Sequence, residues 1–187
     1  MLSRRTILQT SLAGCMVAGL AGLAAFANFY PKPDRDEELT GWRRIAWPFP
    51  RDAFPAGRAW KRGDTEVYIR PKLGFCGNCD TGVVEDSEVD RVTDIDLFDE
   101  HFMPLREGGR IQLTDLMGRA RLYRITQGGR ERIAQGIAVS YQCDLVVAVV
   151  VSPAADDATL KNARRFLETN TVQVWINTLL EGRQAYQ

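Results

Sequence analysis

The chain is poor in the residues on which much enzyme chemistry depends. Among its 187 residues there is one histidine, His101, and there are four cysteines. A single imidazole excludes a metal site built from several histidines and leaves one candidate for imidazole acid–base catalysis. The sequence also lacks a Gly-x-Ser-x-Gly elbow, a Walker loop and a Gly-x-Gly-x-x-Gly motif after a strand. We therefore expect no cofactor and favour a non-catalytic protein.

An excess of charge of one sign is missing as well. The chain has 24 basic and 24 acidic residues, which gives a formal net charge of +0. Proteins that bind nucleic acid usually concentrate positive charge on one face or over a whole domain, so we expect no nucleic-acid partner. Hydrophobic residues make up 45% of the chain, which is enough for a packed core in one ordinary domain.

The N-terminus carries a targeting pattern. It begins with Ser3-Arg4-Arg5-Thr6-Ile7-Leu8-Gln9, continues with a run rich in Ala, Gly and Leu, and reaches a small-x-small site at Ala25-Phe26-Ala27. This segment resembles the twin-arginine export signals, with Gln9 where those signals often have lysine. The resemblance implies transport of a folded domain by the twin-arginine translocase. It rests on Ser3, Arg4, Arg5, Leu8, Ala25 and Ala27.

Three fates of this segment are compatible with its sequence. Residues 1–27 are cleaved as a signal peptide, or residues 7–30 stay as a membrane anchor, because the apolar run approaches the ~20 residues that span a bilayer. Leu12-Ala13-Gly14-Cys15 also matches a lipoprotein processing box with Cys15 as the lipidated residue. All three place the domain in the periplasm, or at the inner membrane on its periplasmic side.

Residues 28–62 are expected to form an extended arm. Residues 31–62 hold five of the eight prolines and three of the four tryptophans. Proline fixes φ and removes a donor, so no long helix or central strand is expected there. The arm packs on its own domain or, alternatively, docks a protein partner in the cell envelope. The residues assigned to docking are Trp42, Arg43, Arg44, Trp47 and Trp60.

Residues 63–187 are predicted to form an α+β domain, a mostly antiparallel sheet with two C-terminal helices packed on it. Alternating or apolar runs predict strands over 65–70, 92–97, 120–126, 133–141 and 145–151, the last one buried and central. Gly108-Gly109 is expected to mark a turn before Ile111-Gln112-Leu113. The first helix is expected to start at Ser152-Pro153 or Asp156. The second is expected to start with a capping box at Asn170-Thr171-Val172-Gln173 and to stop at Gly182.

Cys76-Gly77-Asn78-Cys79 is the motif with inherent chemistry. Outside the cytoplasm a structural disulfide between Cys76 and Cys79 is favoured. The alternatives are a redox pair with Cys76 as the nucleophile, or a metal pair. Cys143 is expected to be an inert buried thiol, or else bonded to Cys76 or Cys79. A metal site of Cys76, Cys79, His101 and Cys143 is the most elaborate alternative.

Residues 80–101 carry nine acidic residues and one basic residue, Arg91. A solvated face is the expected structure, and calcium binding is an alternative. The acids are also suited to a basic partner, for which the arginines of the arm are candidates: Arg43, Arg44, Arg51, Arg58 and Arg62.

These features together favour an exported, non-catalytic binding or accessory domain of the bacterial cell envelope. A thiol–disulfide oxidoreductase that uses Cys76 and Cys79 is one alternative, and a metal-binding protein is another.

Overall fold

A computed structural model of the chain describes residues 40–50, 52–74 and 82–184. All of them belong to one compact unit, Asp34–Gln187. The export signal, Cys15, Cys76 and Cys79 lie outside the described residues, so the expectations about them stay predictions. Within the described ranges, no helix has the length and apolar character needed to cross a membrane.

An antiparallel sheet of eight strands forms the centre of the described fold. The strands are β1 (Arg43–Ile45), β2 (Arg58–Arg62), β3 (Thr65–Lys72), β4 (Met103–Pro104), β5 (Gly109–Leu113), β6 (Leu116–Gln127), β7 (Arg130–Tyr141) and β8 (Asp144–Ser152). Their order is β1-β2-β3-β8-β7-β6-β4, and β5 also pairs with β6. The Val-rich β8 lies between β3 and β7, which confirms the prediction of a buried central strand.

Helices cover both faces of the sheet. They are α1 (Asp86–Val92), the 3-10 turn Ile95–Leu97, α2 (Asp157–Leu167) and α3 (Asn170–Gln184). Phe166 of α2 and Ile176 of α3 belong to the same buried cluster as Val67 and Val150 on one face of the sheet. The predicted α+β class is therefore confirmed in its coarse form, an antiparallel sheet with helices.

The opposite face of the sheet is covered by shorter elements. Ile95 of the 3-10 turn lies in one buried cluster with Tyr68, Tyr123 and Val149, and α1 contributes to a second cluster on that face. Phe49 from the segment after β1 makes ring contacts with Tyr68 and Phe98, with centroids 5.7 Å and 4.8 Å apart. A sheet covered on both faces explains why all eight residues of β3 are buried.

The expectation of a strand over 92–97 was wrong. Val92 ends α1, Asp94 adopts a left-handed conformation with φ 60°, and Ile95–Leu97 form the 3-10 turn. Val89, Val92 and Ile95 are all buried, and their spacing of three fits a helical period better than alternation. A capping box at Glu85 and Glu88 starts α1.

Part of the expected arm belongs to the sheet. β1 and β2 both fall within residues 28–62, and β2 is an internal strand between β1 and β3. The expectation that no central strand fits this segment was wrong because the segment's last proline, Pro55, precedes β2. Trp42 stacks on Phe166 with centroids 4.9 Å apart, and Trp60 meets the same ring edge-on at 5.2 Å.

The helix starts were predicted with mixed success. Asp156 caps α2 by accepting hydrogen bonds from the N–H groups of Ala158 and Thr159. Of the two expected starts, Asp156 is therefore confirmed. At α3 the cap lies one residue before the expected box, because the Thr169 carbonyl accepts from the N–H of Gln173. The side chain of Gln173 donates to the Leu167 carbonyl instead, and α3 continues past Gly182.

Candidate functional site: an arginine cleft

An open polar cavity of about 340 Å³ is lined by residues from the loop before β5, from β5 to β7 and from α2. We call it the arginine cleft. Its charged and amide lining consists of Arg106, Glu107, Arg110, Gln135, Asp157 and Arg164. Its apolar lining consists of Ile111, Ala120, Leu122 and Leu160.

The three arginines of the cleft form no ion pair with any described residue. Within the described ranges, no hydrogen bond or ion pair involves the guanidinium groups of Arg106, Arg110 and Arg164. Arginine keeps its charge at every physiological pH and offers a planar set of donors suited to carboxylate or phosphate. The cleft therefore presents anion-binding groups that the fold itself does not use.

Two buried polar atoms of the cleft also lack a partner. Arg164 Nε and Gln135 Oε1 are inaccessible to solvent and make no hydrogen bond in the described part of the chain. An unsatisfied buried polar group costs about 1–3 kcal/mol, so such atoms are rare in folded proteins. Gln135 and Arg164 both line the cavity, but these two atoms are closed to solvent, so a ligand in the cleft would not reach them.

The loop that carries Arg106 and Arg110 is fixed by α1. The carboxylate of Asp86 accepts a hydrogen bond of 2.9 Å from the Gly108 N–H and another from Arg119 Nε. Arg119 in turn donates to the Gly108 carbonyl at 3.1 Å. The hydrogen bond from Gly108, followed by the interactions with Arg119, lowers the pKa of Asp86 below its ordinary value. Both backbone polar groups of Gly108 are thus held in place.

Gly108 has no room for a side chain. A Cβ at this position would lie 2.5 Å from Asp86 Oδ1 and 2.8 Å from the Ala120 carbonyl oxygen. A Cβ at the adjacent Gly109 would have no neighbouring atom within 4 Å. The close approach of the loop to α1 and β6 therefore requires glycine at 108 and not at 109.

A second cluster of charges, which we call the paired centre, lies on the face covered by α1. Arg70 donates to both carboxylate oxygens of Asp94 at 2.6 Å and 2.8 Å, and to Asp52 at 2.7 Å. Lys72 Nζ lies 2.6 Å from Asp94. Arg70, Lys72 and Asp94 are all buried. Phe54 packs against both cations, with distances of 5.5 Å and 5.4 Å to its ring centroid.

Much of the acidic stretch is used inside the fold. Asp94 pairs with Arg70, Asp86 with Arg119, and Asp90 with Arg121 at 2.6 Å. The expected solvated face is wrong for these three acids, and their basic partners come from β3 and β6 instead of the arm. No group of three potential metal ligands occurs among the residues described.

The residues assigned to partner docking have different environments. Trp42 and Trp60 are buried in the core, which fits the interpretation of an arm packed on its own domain. Arg43 and Arg44 are exposed on β1, and Trp47 is half-buried against Phe49 and Tyr68. Docking by the arm stays a prediction, and of its five residues only Arg43, Arg44 and Trp47 have accessible surface to support it.

The expectation that Cys143 is an inert buried thiol was wrong. Cys143 is exposed in the turn between β7 and β8, and it is disulfide-bonded. Its sulfur is therefore not available as a metal-binding thiolate.

His101 lies far from Cys143. Asp99 accepts hydrogen bonds from the N–H groups of both His101 and Thr126. Thr126 pairs with Glu131 near the turn that joins β6 to β7, so His101 lies at that end of the two strands. Cys143 follows the other end of β7. Because a strand rises ~3.3 Å per residue, His101 and Cys143 lie about 30 Å apart. The structure does not bring the proposed four-ligand metal set together. The pairing and the redox role of Cys76 and Cys79 remain predictions.

No motif in the sequence points to the residues of the arginine cleft. Gly108-Gly109 predicts only a turn, although Arg106 and Arg110 flank the glycine pair. Gln135 and Arg164 lie on β7 and α2, and nothing in their spacing links them to that loop. Only the folded chain brings the four residues together.

No protein-family model matches the chain. The chain is similar to a diaminopimelate epimerase of Listeria monocytogenes serotype 4a (strain HCC23), with 25% identity over 146 residues. The match covers 73% of this chain and 44% of that enzyme, so the chain spans less than half of the length of this curated relative.

Proposed function

We propose that this protein is an exported, non-catalytic binding domain of the bacterial cell envelope, and that the arginine cleft is its binding site. The observation that carries the proposal is a cavity of about 340 Å³ lined by three guanidinium groups that have no partner in the described part of the chain. Arginine is the preferred residue for planar recognition of carboxylates, because its donors form two parallel hydrogen bonds. The expected ligand is therefore anionic.

Two observations support the export part of the proposal. The N-terminal residues Ser3-Arg4-Arg5 and Leu8 resemble a twin-arginine signal. The disulfide at Cys143 is typical of an oxidising compartment such as the periplasm. We do not extend epimerase activity to this chain, since the match is 25% identical and covers 44% of that enzyme.

The binding part is tested with a fluorescently labelled hexaglutamate peptide, measured by anisotropy at low salt. The protein should bind the peptide, and the double variant Arg106→Ala/Arg110→Ala should weaken binding at least tenfold. The matched control is Arg43→Ala/Arg44→Ala, which removes two exposed arginines from β1. Equal binding by all three proteins would show that the cleft is not the site. Loss of binding only in the control would favour docking by the arm.

The export part is tested by cell fractionation. The wild-type chain should be found in the periplasm or at the inner membrane, accessible to protease added to spheroplasts. Arg4→Lys/Arg5→Lys should leave it in the cytoplasm, because those signals depend on the arginine pair. An unchanged distribution in this variant would contradict the assigned export route.

A further inference from the structure

The cleft contains acids as well as arginines. Glu107 and Asp157 line the same cavity, and within the described ranges neither side chain makes a hydrogen bond or an ion pair. Three cations and two anions around one cavity match a ligand that carries charges of both signs, with the negative charge in excess. A simple anion would use the arginines and meet repulsion from Glu107 and Asp157.

The volume of the cleft limits the size of the ligand. About 340 Å³ is at the small end of the ~300–1,000 Å³ that is typical of small-molecule sites. A space of this size holds an amino acid or a few residues of a peptide.

Resting on the proposed function, we infer that the arginine cleft binds an amino acid or a short acidic peptide. In this arrangement the carboxylates contact Arg106, Arg110 and Arg164. The amino group contacts the carboxylates of Glu107 and Asp157. The combination of a carboxylate and an ammonium group on one small molecule satisfies both kinds of unpaired group in the cleft.

The experiment is isothermal titration of the purified protein with L-glutamate, alanylglutamate, glutarate and sulfate at constant ionic strength. Glutarate is glutamate without its amino group, so this pair isolates the contribution of the ammonium group. Glutamate or alanylglutamate should bind at least tenfold more tightly than glutarate, and sulfate should bind most weakly. Glu107→Gln/Asp157→Asn should reduce the preference for glutamate over glutarate. Arg164→Lys should weaken both ligands, and thermal melting should show that both variants remain folded.

The outcomes separate this inference from the proposed function. If glutarate binds as tightly as glutamate, the inference is overturned, and the cleft is an anion site of the kind proposed above. If neither amino compound binds while hexaglutamate binding still depends on Arg106 and Arg110, the inference is also overturned. If hexaglutamate binding is unaffected in Arg106→Ala/Arg110→Ala, the proposed function itself fails.

Discussion

The paired centre and the arginine cleft are built from the same residue types and use them differently. In the paired centre, the buried Arg70 has a carboxylate on each side, from Asp94 and Asp52. In the cleft, Arg106 and Arg110 are exposed and have no partner in the described part of the chain. The first arrangement uses its charges to hold the segment after α1 against β3. The second leaves its charges available, which is why we assign binding to the cleft and structure to the paired centre.

Cavities alone do not separate the two regions. An aromatic cavity of about 250 Å³ adjoins the paired centre and is lined by Trp47, Phe49, Phe54, Asp52 and Arg70, among others. The charged groups there already have partners, so a ligand would have to displace an existing ion pair. Breaking a buried ion pair is costly, whereas a ligand in the cleft would replace water around the exposed Arg106 and Arg110 and break no ion pair among the described residues.

The largest stability effect is expected at Asp94. Asp94→Asn keeps the shape and tolerates the left-handed backbone, but it leaves Arg70 and Lys72 without their shared carboxylate. Removing one partner of a buried ion pair costs about 3–5 kcal/mol, so the free energy of unfolding in urea should fall by that amount. Asp96→Asn is the matched control at an exposed acid two residues away, and it should change stability by less than about 0.5 kcal/mol. Equal effects of the two changes would contradict the structural role of the paired centre.

Gly108→Ala should affect both stability and binding. Its Cβ would force the loop away from Asp86 and Ala120, at a cost of about 1–3 kcal/mol that is typical of overpacking. The displaced loop carries Arg106 and Arg110, so hexaglutamate binding should weaken several-fold. Gly109→Ala should leave binding unchanged, because the added Cβ would have no atom within 4 Å. Thermal melts and anisotropy on both variants measure this, and identical behaviour of the two would argue against a loop held by α1.

The pH dependence of stability should report on Asp86. Its pKa is lowered in the folded protein, first by the Gly108 N–H and then by Arg119, so the charged form is favoured there. The stabilisation is therefore present above the unfolded pKa of about 3.9 and is lost as pH falls through the lower folded value. The free energy of unfolding in urea, measured between pH 3 and 7, should fall more steeply with decreasing pH for the wild type than for Asp86→Asn. Parallel curves would show that Asp86 contributes nothing to the acid response.

The smallest stability effect is expected in the cleft itself. Arg106→Ala/Arg110→Ala removes exposed, unpaired side chains, so the free energy of unfolding should change by less than about 0.5 kcal/mol. The same variant should lose hexaglutamate binding. A large loss of stability would mean that these arginines have a structural role, and the contrast with the paired centre would disappear.

The local features of the fold could be predicted from the sequence where its periodicity was strong. The run Leu145–Val151 indicated a buried strand, and Asp156 marked a helix start that the structure confirms. The prediction of a strand over 92–97 was wrong because the alternation there is short and coincides with a helical spacing of buried residues. The strands of the arm were not predicted for a different reason. The high density of prolines in the arm drew attention away from its proline-free segment Arg58–Arg62.

The candidate site could not be predicted because it depends on contacts between distant parts of the chain. Asp86 meets Gly108 and Arg119 across 22 and 33 residues. Charge counts along the sequence cannot show which acids and bases become partners. They indicated a solvated acidic face, whereas the structure pairs Asp86, Asp90 and Asp94 with cations of the β-strands. The arginines of the cleft have no partner among the residues that the structure describes.

The most direct test of the binding site is a titration of ¹⁵N-labelled protein with hexaglutamate, followed by amide chemical shifts. The account predicts that the largest changes occur at Gly108, Gly109 and the part of α2 that includes Leu160 and Arg164. The amides of Asp52 and Phe54, beside the paired centre, should change little. Changes concentrated at Asp52 and Phe54, or at Arg43 and Arg44 on β1, with none at Gly108 and Gly109, would contradict the assignment of binding to the arginine cleft.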